Sequence, residues 1–327
     1  MSKLVTIYGG SGFIGRYISR RMAKRGWRVR VAVRNPNDAG FVRTYGVVGQ
    51  VEPVFCNIRD DASVAAVMHD SDAVVNCVGI LAEKGKNTFD SVQVDGPERI
   101  ARIAAEQGVG RMVHISAIGA DADSRSDYAR TKALGEKAVL KYMPGAVILR
   151  PSLIFGPEDG FFNRFAGMAR MAPVLPIAGG ETLFQPVYVD DVAHVAEMGV
   201  TGDATPGVYE LGGPEVATMR ELMHRMLTVI RRRRMVVNLP FWLAHMMASG
   251  FDMVQLLSLG LIRNGVLTRD QLRNLAQDNI ASSDARTFNS LGIHPTPMQS
   301  ILPEYLWRFR KGGQYADIAA SADRLLG

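Results

Sequence analysis

Cysteine is scarce in this sequence, and the patterns that bind metal ions are missing. Cys56 and Cys77 are the only two cysteines among 327 residues, and each lies in an apolar run that predicts a buried strand. A disulfide-stabilised fold is therefore excluded. The six histidines form no H-E-x-x-H pattern, and the two cysteines lack the C-x-x-C spacing of a zinc site, so we expect no metal ion.

Signals for nucleic-acid binding, export and membrane insertion are also missing. The sequence has no aromatic RNP pattern, zinc finger or long basic helix, so we expect no nucleic-acid partner. An apolar run follows Met1 almost at once and leaves no room for a signal peptide, so we expect a cytoplasmic protein. The apolar stretch from 235 to 262 contains Pro240, His245 and Asp252, and we predict that it does not span a membrane.

The composition is that of a soluble globular protein. Hydrophobic residues make up 47% and charged residues 21%, which excludes the disordered and fibrous classes. At roughly 150 residues per domain, the length of 327 residues predicts two domains. The net charge is +6, and residues 216–327 carry 14 Lys and Arg against 8 Asp and Glu, whereas residues 1–215 carry 24 of each. This asymmetry favours an acidic partner or an anionic membrane surface.

Strand-like and helix-like segments alternate along the first two thirds of the chain. Short apolar runs such as RVRVAV and RMVHIS predict buried parallel strands, and segments such as 127–142 predict the helices between them. This order predicts an α/β fold with a Rossmann-type, doubly wound parallel sheet and a smaller, mostly helical C-terminal domain. We expect the nucleotide-binding domain over 1–215, with an insertion around 156–184 that contributes to the second domain, and a partner- or membrane-docking domain over 216–327.

A glycine-rich turn between the first strand and the first helix predicts a phosphate site. Gly9, Gly12 and Gly15 satisfy G-x-x-G-x-x-G, with the required strand before them and helix after them. Glycine is needed because the backbone turns sharply and approaches a pyrophosphate closely, while the helix N-terminus offers free N–H groups to the anion. We predict that a dinucleotide contacts the loop residues Gly9, Ser11, Gly12, Phe13, Ile14 and Gly15.

The end of the second strand predicts which dinucleotide is bound. An NAD enzyme places Asp or Glu about 20 residues after the glycine loop to bind the ribose hydroxyls. This sequence has Arg34 there instead. A guanidinium pairs well with a 2′-phosphate, and Arg16, just after the last glycine, could reach the same group. We therefore predict NADP(H), in the form of NADPH, over NAD(H).

A second constellation lies in the segment from Tyr128 to Lys132. Its Y-x-x-x-K spacing places a phenol and an ammonium group on one face of a helix. Lys132 would bind the nicotinamide ribose and lower the pKa of Tyr128, so that the phenol could exchange a proton with a substrate oxygen. Ser116, at the end of the preceding strand, could polarise that oxygen. These three residues are the candidate catalytic groups and candidate cofactor contacts.

Together these motifs resemble the short-chain dehydrogenase/reductase superfamily, in its extended and atypical branches. Residues 57–60 are similar to the segment that flanks the adenine, residues 76–79 to the fourth-strand motif, and residues 149–152 to the turn beside the nicotinamide. The segments 186–193 and 209–214 also match extended members. This resemblance implies additional cofactor contacts at Asn57, Ile58, Val78, Gly79, Pro151 and Leu153.

The serine motif departs from that superfamily. Members carry Ser-Ser or Ser-x-Ser at the end of the fifth strand, whereas Ser116 is followed here by Ala117, Ile118 and Gly119. The aligned serine would then be missing, and losing one oxyanion donor typically lowers the rate about 100- to 1000-fold. We expect a site that binds its cofactor without turning over a substrate.

Over its whole length the chain resembles one group of that superfamily, the nucleotide-binding accessory subunits of respiratory complex I in their bacterial form. The similarity beyond residue 215 lies in the segments 267–271, 278–279, 291–293 and 302–310. The resemblance implies a tightly bound NADPH with no turnover and a protein that stabilises the junction of the peripheral and membrane arms. It implies other complex I subunits near the quinone site as partners, and a peripheral location on the cytoplasmic face of the bacterial inner membrane.

The C-terminal third also has a pattern typical of surface docking. A block of four arginines stands beside an apolar segment that contains Phe241, Trp242, Leu243, Met246, Met247, Phe251, Val254 and Leu257. We expect contact with anionic lipid through Arg231, Arg232, Arg233 and Arg234. In the alternative interpretation, these residues close a substrate pocket or fill a second core.

Two other functions are compatible with the sequence. The chain could be a free NADPH-dependent reductase or epimerase that acts on a quinone, a steroid or a nucleotide sugar through Tyr128 and Lys132. It could also be an assembly factor that leaves once the complex is built. The intact Y-x-x-x-K favours the enzyme, whereas the altered serine motif and the basic C-terminal third favour the subunit.

Overall fold

The computed structural model describes residues 2–244, 246 and 269–315. Several residues named in the sequence analysis lie outside these ranges. They are His245, Met247, Phe251, Asp252, Val254, Leu257 and the first two residues of the segment 267–271.

The strands of the described residues, in chain order, are β1 (Leu4–Tyr8), β2 (Arg28–Val33), β3 (Val51–Phe55), β4 (Ala73–Asn76), β5 (Arg111–Ile115), β6 (Val147–Pro151), β7 (Ile154–Phe155), β8 (Val174–Ala178), β9 (Leu183–Phe184), β10 (Val187–Tyr188), β11 (Gly207–Leu211), β12 (Ala217–Thr218) and β13 (Met235–Leu239).

The α-helices are α1 (Phe13–Lys24), α2 (Asp61–Met68), α3 (Asp95–Glu106), α4 (Asp127–Tyr142), α5 (Phe162–Met171), α6 (Val189–Thr201), α7 (Met219–Val229), α8 (Arg269–Leu275) and α9 (Met298–Leu306). Short 3-10 turns span Pro36–Tyr45, Phe288–Leu291, Trp307–Phe309 and Gly313–Tyr315, and one turn of π-helix spans Asp90–Val94.

Seven strands form one parallel sheet in the order β11-β6-β5-β4-β1-β2-β3. The central strands β1 and β4 are buried along their whole length, as the short apolar runs predicted. The chain places β2 and β3 on one side of β1 and then crosses back to place β4 on the other side, so the order of strands reverses between β1 and β4. A doubly wound sheet binds its ligand beyond the carboxyl ends of the strands at such a point. The predicted Rossmann-type sheet is confirmed.

Helices cover both faces of this sheet. On one face, α2, α3 and α4 share a single apolar cluster with the strands. On the other face, α6 packs so closely that a side chain at Gly199 would meet Val113 of β5. Arg21 joins α1 to α6, because its guanidinium binds Asp190 at 2.8 Å and Glu197 at 3.0 Å.

The chain divides into two compact units. The first, which contains the seven-stranded sheet, comprises Met1–Ser152, Val189–Gly212 and Ala281–Pro295, and the second comprises Leu153–Tyr188, Gly213–Ile280 and Thr296–Gly327. The sheet unit thus includes a segment of the C-terminal third, which the expected boundary at residue 215 did not anticipate. The assignment of nucleotide binding to one domain and docking to the other stays a prediction.

In its described residues, the second unit has three two-stranded pairs, several helices and a large apolar cluster that they share. Its C-terminal segment ties these elements together. The Tyr305 hydroxyl donates to the buried carboxylate of Asp159, and Arg310 donates to the Val229 carbonyl at the end of α7. The segment 302–310, on which the resemblance partly rests, therefore has a structural role within this unit.

Neither cysteine lies within a strand. Cys56 is buried just beyond β3, and Cys77 is half-buried just beyond β4. Within residues 2–244, 246 and 269–315, no helix is both long enough and apolar enough to cross a membrane. The apolar stretch that starts at residue 235 begins with the strand β13, which pairs with β8.

Candidate nucleotide-binding site

The glycine loop lies between β1 and α1, where the sequence predicts it. Gly9 has a φ of +75°, which favours glycine, and its N–H donates to the Ala32 carbonyl of β2 at 2.9 Å. A Cβ at Gly15 would lie 2.3 Å from the Gly9 carbonyl oxygen, so no side chain fits there. The loop is therefore a tight cradle that only these glycines permit, and this geometry suits a pyrophosphate.

The N-terminus of α1 is open to an anion. Gly12 is the N-cap, no side chain caps it, and the first turn has no acidic residue. Ser11, Phe13 and Ile14 are half-buried around this end of the helix. Backbone N–H groups at a helix start, together with the helix dipole, attract phosphate. The arrangement can hold the negative charge that the glycine motif predicts.

Of the two arginines predicted to bind the 2′-phosphate, Arg16 contacts the glycine loop. The Arg16 guanidinium donates to the Ser11 carbonyl at 3.2 Å and lies 4.9 Å from the centroid of the exposed Phe41 ring. Arg34 is exposed and directly follows β2. Phe41 lies in the 3-10 turn after β2 and was missed by the sequence analysis, because no motif marks it. An exposed aromatic ring beside an arginine is a surface on which an adenine could stack.

Asn57 and Ile58 are held by the helices that follow them. Asn57 donates its N–H to Ser63 Oγ of α2 at 2.9 Å, and the Ile58 carbonyl accepts from Arg99 of α3 at 3.0 Å. Both residues therefore have fixed positions just beyond β3. Their predicted contact with adenine stays a prediction.

The end of β4 lies against the glycine loop and against α4. A side chain at Gly9 would meet Val78 Cγ2 at 3.2 Å, and one at Gly79 would meet Lys132 Nζ at 3.3 Å. Asn76 fixes this turn, because its Oδ1 accepts from the Val78 N–H at 3.1 Å. The structure thus brings together Gly9, Val78, Gly79 and Lys132 at the carboxyl end of β4.

The Tyr128–Lys132 pair lies on α4, the helix predicted over 127–142. Lys132 is buried, and its Nζ donates to the Ile115 carbonyl at the end of β5 at 3.1 Å. The same Nζ lies 5.9 Å from the centroid of the Tyr128 ring, which contacts the Phe89 ring edge to face at 6.2 Å. The Y-x-x-x-K spacing does place the phenol and the ammonium group side by side.

Burial sets the protonation of this pair. It raises the pKa of Tyr128 to about 12 and lowers the pKa of Lys132 to about 8. The sequence predicted a lowered pKa for Tyr128, which is wrong for this structure, because burial desolvates the phenolate and raises the pKa. At neutral pH the phenol keeps its proton.

Two buried polar side-chain atoms near the end of β5 have no hydrogen-bond partner in the described part of the chain. Ser116 Oγ and His114 Nε2 are both buried and have no hydrogen-bond partner among the described residues. Asn76 Oδ1 accepts from a backbone N–H, so its amide group must donate to His114 Nδ1 at 3.1 Å. Burial lowers the pKa of His114 to about 3, so the ring is neutral with its proton on Nε2. Two buried groups are thus left to bond a ligand or water.

A row of paired charges starts near Lys132 and runs from α4 across β6 to β11. Glu136, one turn further, forms a bidentate pair with Arg150 of β6 at 2.7 and 2.9 Å. Arg150 also bonds Glu210 of β11 at 3.3 Å, and Glu210 accepts from the Ser282 N–H at 2.8 Å. The sequence analysis missed this row. The spacing of Lys132 and Glu136 was a visible signal, but the link to Ser282 depends on the return of the segment Ala281–Pro295 to the sheet unit.

Pro151 and Leu153 are only two positions apart in the chain, but they belong to different units. The Pro151 carbonyl ends β6 and accepts from the Ile118 N–H at 3.0 Å. Leu153 begins the second unit, where its carbonyl accepts from the Val187 N–H at 2.9 Å. Their predicted contacts with a nicotinamide stay predictions.

Comparison with known proteins places this geometry in a family. Residues 5–212 match the model of the NAD dependent epimerase/dehydratase family. The structure is similar to UDP-glucose 4-epimerase of Thermotoga maritima, with a TM-score of 0.69 at 17% identity, over 94% of this chain and 99% of that one. The chain therefore belongs to the NAD dependent epimerase/dehydratase family and has its NAD(P)-binding fold.

Similarity over nearly the whole chain is found with one kind of relative. NADH dehydrogenase [ubiquinone] 1 alpha subcomplex subunit 9 of Arabidopsis thaliana is 36% identical over 316 residues, which are 95% of this chain and 79% of that protein. The subunit of the same name in Mus musculus is 30% identical over 310 residues, which are 94% and 80%. The chain is thus an extended short-chain dehydrogenase/reductase related to these subunits, as the resemblance implied.

Replacing Lys132 by Met is expected to separate stability from nucleotide binding. The variant should be more stable than the wild type by about 1–2 kcal/mol at pH 7, because burial opposes the charge on Lys132. Between about pH 8 and 10 the native lysine is neutral while the unfolded one stays charged, so the wild type gains stability and the difference should shrink. Binding of NADPH should weaken at least about tenfold, since a charged contact is lost.

The measurements are thermal unfolding over this pH range and titration with NADPH. Lys137→Met, on the exposed side of the same helix, is the matched control and should change neither quantity. A Lys132→Met protein that is less stable at pH 7 and binds NADPH normally would contradict the assignment.

Proposed function

We propose that the chain is a non-catalytic accessory subunit of a proton-pumping NADH:quinone oxidoreductase, complex I. In this role it binds NADPH tightly and stabilises the junction of the peripheral and membrane arms. The observation that carries the proposal is the 36% identity to the Arabidopsis subunit over 95% of the chain. The epimerase/dehydratase family model ends at residue 212. Similarity that continues through the C-terminal third supports a shared role for that part as well.

The first unit has groups suited to each part of NADPH. Gly9, Gly12 and Gly15 would hold the pyrophosphate at the start of α1, and Arg16 and Arg34 would pair with the 2′-phosphate. Tyr128, Lys132 and Ser116 would bond the nicotinamide ribose and its ring. Asn57 and Ile58 would flank the adenine, Val78 and Gly79 would add further contacts, and Pro151 would face the nicotinamide. When bound, NADPH carries a transferable hydride, and it stabilises the fold that binds it.

The lack of turnover is supported by the protonation of the site. A reductase of this kind needs a phenol that gives up its proton near neutral pH. Burial raises the pKa of Tyr128 to about 12 and lowers the pKa of Lys132 to about 8. The second serine of the superfamily motif is replaced as well. These residues suit a site that binds NADPH and retains it.

The proposed partners are the complex I subunits at the junction near the quinone site. The proposed location is peripheral, on the cytoplasmic face of a bacterial inner membrane, with the block from Arg231 to Arg234 towards anionic lipid. The relatives named above are mitochondrial. The basic excess of residues 216–327 supports a partner or surface of negative charge.

A free NADPH-dependent reductase or epimerase is the second candidate function. The observation that favours it is the intact pair on α4, with Lys132 Nζ 5.9 Å from the Tyr128 ring centroid. Such an enzyme would use Tyr128 as its proton donor, whereas a structural subunit would not. The two functions therefore differ in how they depend on the Tyr128 hydroxyl.

Arg34→Ser is expected to weaken binding of NADPH about tenfold or more, because a charge-assisted contact with the 2′-phosphate is lost. Binding of NADH, which lacks that phosphate, should change little. Arg28→Ser, at the exposed start of β2, removes the same charge and serves as control. Dissociation constants for both nucleotides check the prediction. Equal losses for NADH and NADPH would contradict the role of Arg34, and tighter binding of NADH by the wild type would contradict the cofactor choice.

Tyr128→Phe tests whether the chain is an enzyme. In a strain that lacks the chain, we expect the NADH:quinone reductase activity of membranes to fall, because the junction of the two arms is less stable. The Tyr128→Phe variant should restore this activity as well as the wild type does, since its phenol takes part in no reaction. Restoration by the wild type alone, together with NADPH oxidation that depends on Tyr128, would favour the reductase. No loss of activity in the deleted strain would contradict the subunit.

A further inference from the structure

Lys132 is a buried ammonium group that needs compensation for its charge. Its Nζ donates to the Ile115 carbonyl at 3.1 Å, which uses one of the three N–H donors of the group. A side chain at Gly79 would meet the same Nζ at 3.3 Å, so the ammonium group lies against the turn after β4 that the resemblance assigns to the cofactor. A carbonyl alone does not offset the cost of burying a charge, so other groups must contribute.

Glu136 carries the opposite charge on the same face of α4. It lies four positions after Lys132, and both side chains are buried. Burial lowers the pKa of Lys132 to about 8, and the charge of Glu136 opposes that effect by favouring the ammonium form. The two residues are therefore linked by their charges as well as by the helix.

Three other titratable side chains face Lys132, and each is neutral near pH 8. Burial raises the pKa values of Cys77 and Tyr128 to about 12 and lowers the pKa of His114 to about 3. Among the described residues, Glu136 is therefore the carboxylate that acts on Lys132. The charged side chains of the neighbouring helix α3 are exposed or bonded to other residues, and they are Asp95, Glu98, Arg99, Arg102 and Glu106.

The charge of Glu136 is in turn fixed by Arg150 of β6. Arg150 binds both carboxylate oxygens of Glu136, at 2.7 and 2.9 Å, and reaches Glu210 of β11 with one longer bond of 3.3 Å. A buried carboxylate is costly unless it is paired in this way. Arg150 therefore keeps Glu136 ionised and in place, and through it fixes the turn of α4 that carries Lys132.

The outer end of this row of charges is held by the segment Ala281–Pro295. The Ser282 N–H donates to the Glu210 carboxylate at 2.8 Å. Because Glu210 has this second partner, Arg150 can direct its two shorter bonds at Glu136. Counted from the ammonium group on α4, the four side chains of the row alternate in sign, and their charges sum to zero.

We propose that Glu136 and Arg150 are positioning residues of the nucleotide site. Glu136 holds the buried Lys132 in its charged form, and Arg150 holds Glu136 ionised and in place. Lys132 keeps two N–H donors for the nucleotide, and the strength of their hydrogen bonds depends on the charge of the group. The row thereby sets the pH range over which NADPH is retained. The proposal rests on the proposed function, because it concerns the NADPH that this function assigns to the site.

Glu136→Gln tests the proposal through the pH dependence of NADPH binding by the full chain. In the wild type, the dissociation constant should rise above about pH 8, where Lys132 loses its proton. In the variant this rise should begin at least about half a pH unit lower, because the compensating charge is lost. Binding should then be about threefold weaker than in the wild type at about pH 9 and nearly unchanged at about pH 7. Arg150 keeps Glu210 as a partner, so the variant should fold.

The double variant Glu136→Gln/Arg150→Met separates the effect of charge from that of structure. Glu136→Gln alone leaves an arginine without its main partner, and its charge repels Lys132. Removing this arginine as well should return the pH at which binding weakens towards the wild-type value. A purely structural row predicts the reverse, because the double variant loses more contacts. Glu106→Gln, which removes one carboxylate of an exposed ion pair on α3, is the matched control and should leave the pH dependence unchanged.

Dissociation constants for NADPH between about pH 7 and 9 check all four proteins. A pH dependence in Glu136→Gln that matches the wild type would overturn the proposal, and so would an equal loss of binding at every pH. A double variant further from the wild type than the single variant would overturn it as well. These three results leave the proposed function intact. A wild type that does not bind NADPH at any pH would contradict the proposed function, and the proposal with it.

Discussion

The close approach of Gly15 to Gly9 is the contact on which the nucleotide site depends. A Cβ at position 15 would lie 2.3 Å from the Gly9 carbonyl oxygen, so α1 can begin against the turn after β1 only without a side chain there. The same turn lies beside Val78 at the end of β4, and Gly79 in turn lies beside Lys132. These three contacts therefore connect the start of a helix, the centre of the sheet and the Y-x-x-x-K pair.

Local patterns predicted the elements of the site, but not the contacts between distant segments. The spacing of the glycines and the helix over 127–142 could be predicted because both follow from short-range backbone and periodicity rules. The exposed Phe41 beside Arg16 could not, because it depends on how the 3-10 turn packs. The bond from Ser282 to Glu210 was also missed, since nothing in the sequence marks the return of that segment to the sheet.

Burial shifts the pKa values of the Tyr128–Lys132 pair. The sequence placed an ammonium group beside a phenol and predicted a lowered pKa for Tyr128, whereas enclosure raises that pKa to about 12. The same enclosure leaves Ser116 Oγ without a partner among the described residues. Under the proposed function, the fold of a dehydrogenase serves as a nucleotide-stabilised structural part.

The most direct test of this account is affinity purification of the tagged chain from gently solubilised membranes. Mass spectrometry would identify the proteins that accompany it, and the nucleotide would be released and quantified. The account predicts complex I subunits together with about one NADPH per chain, in line with a ligand bound tightly enough to survive purification. A chain that purifies alone and exchanges NADPH freely would contradict it.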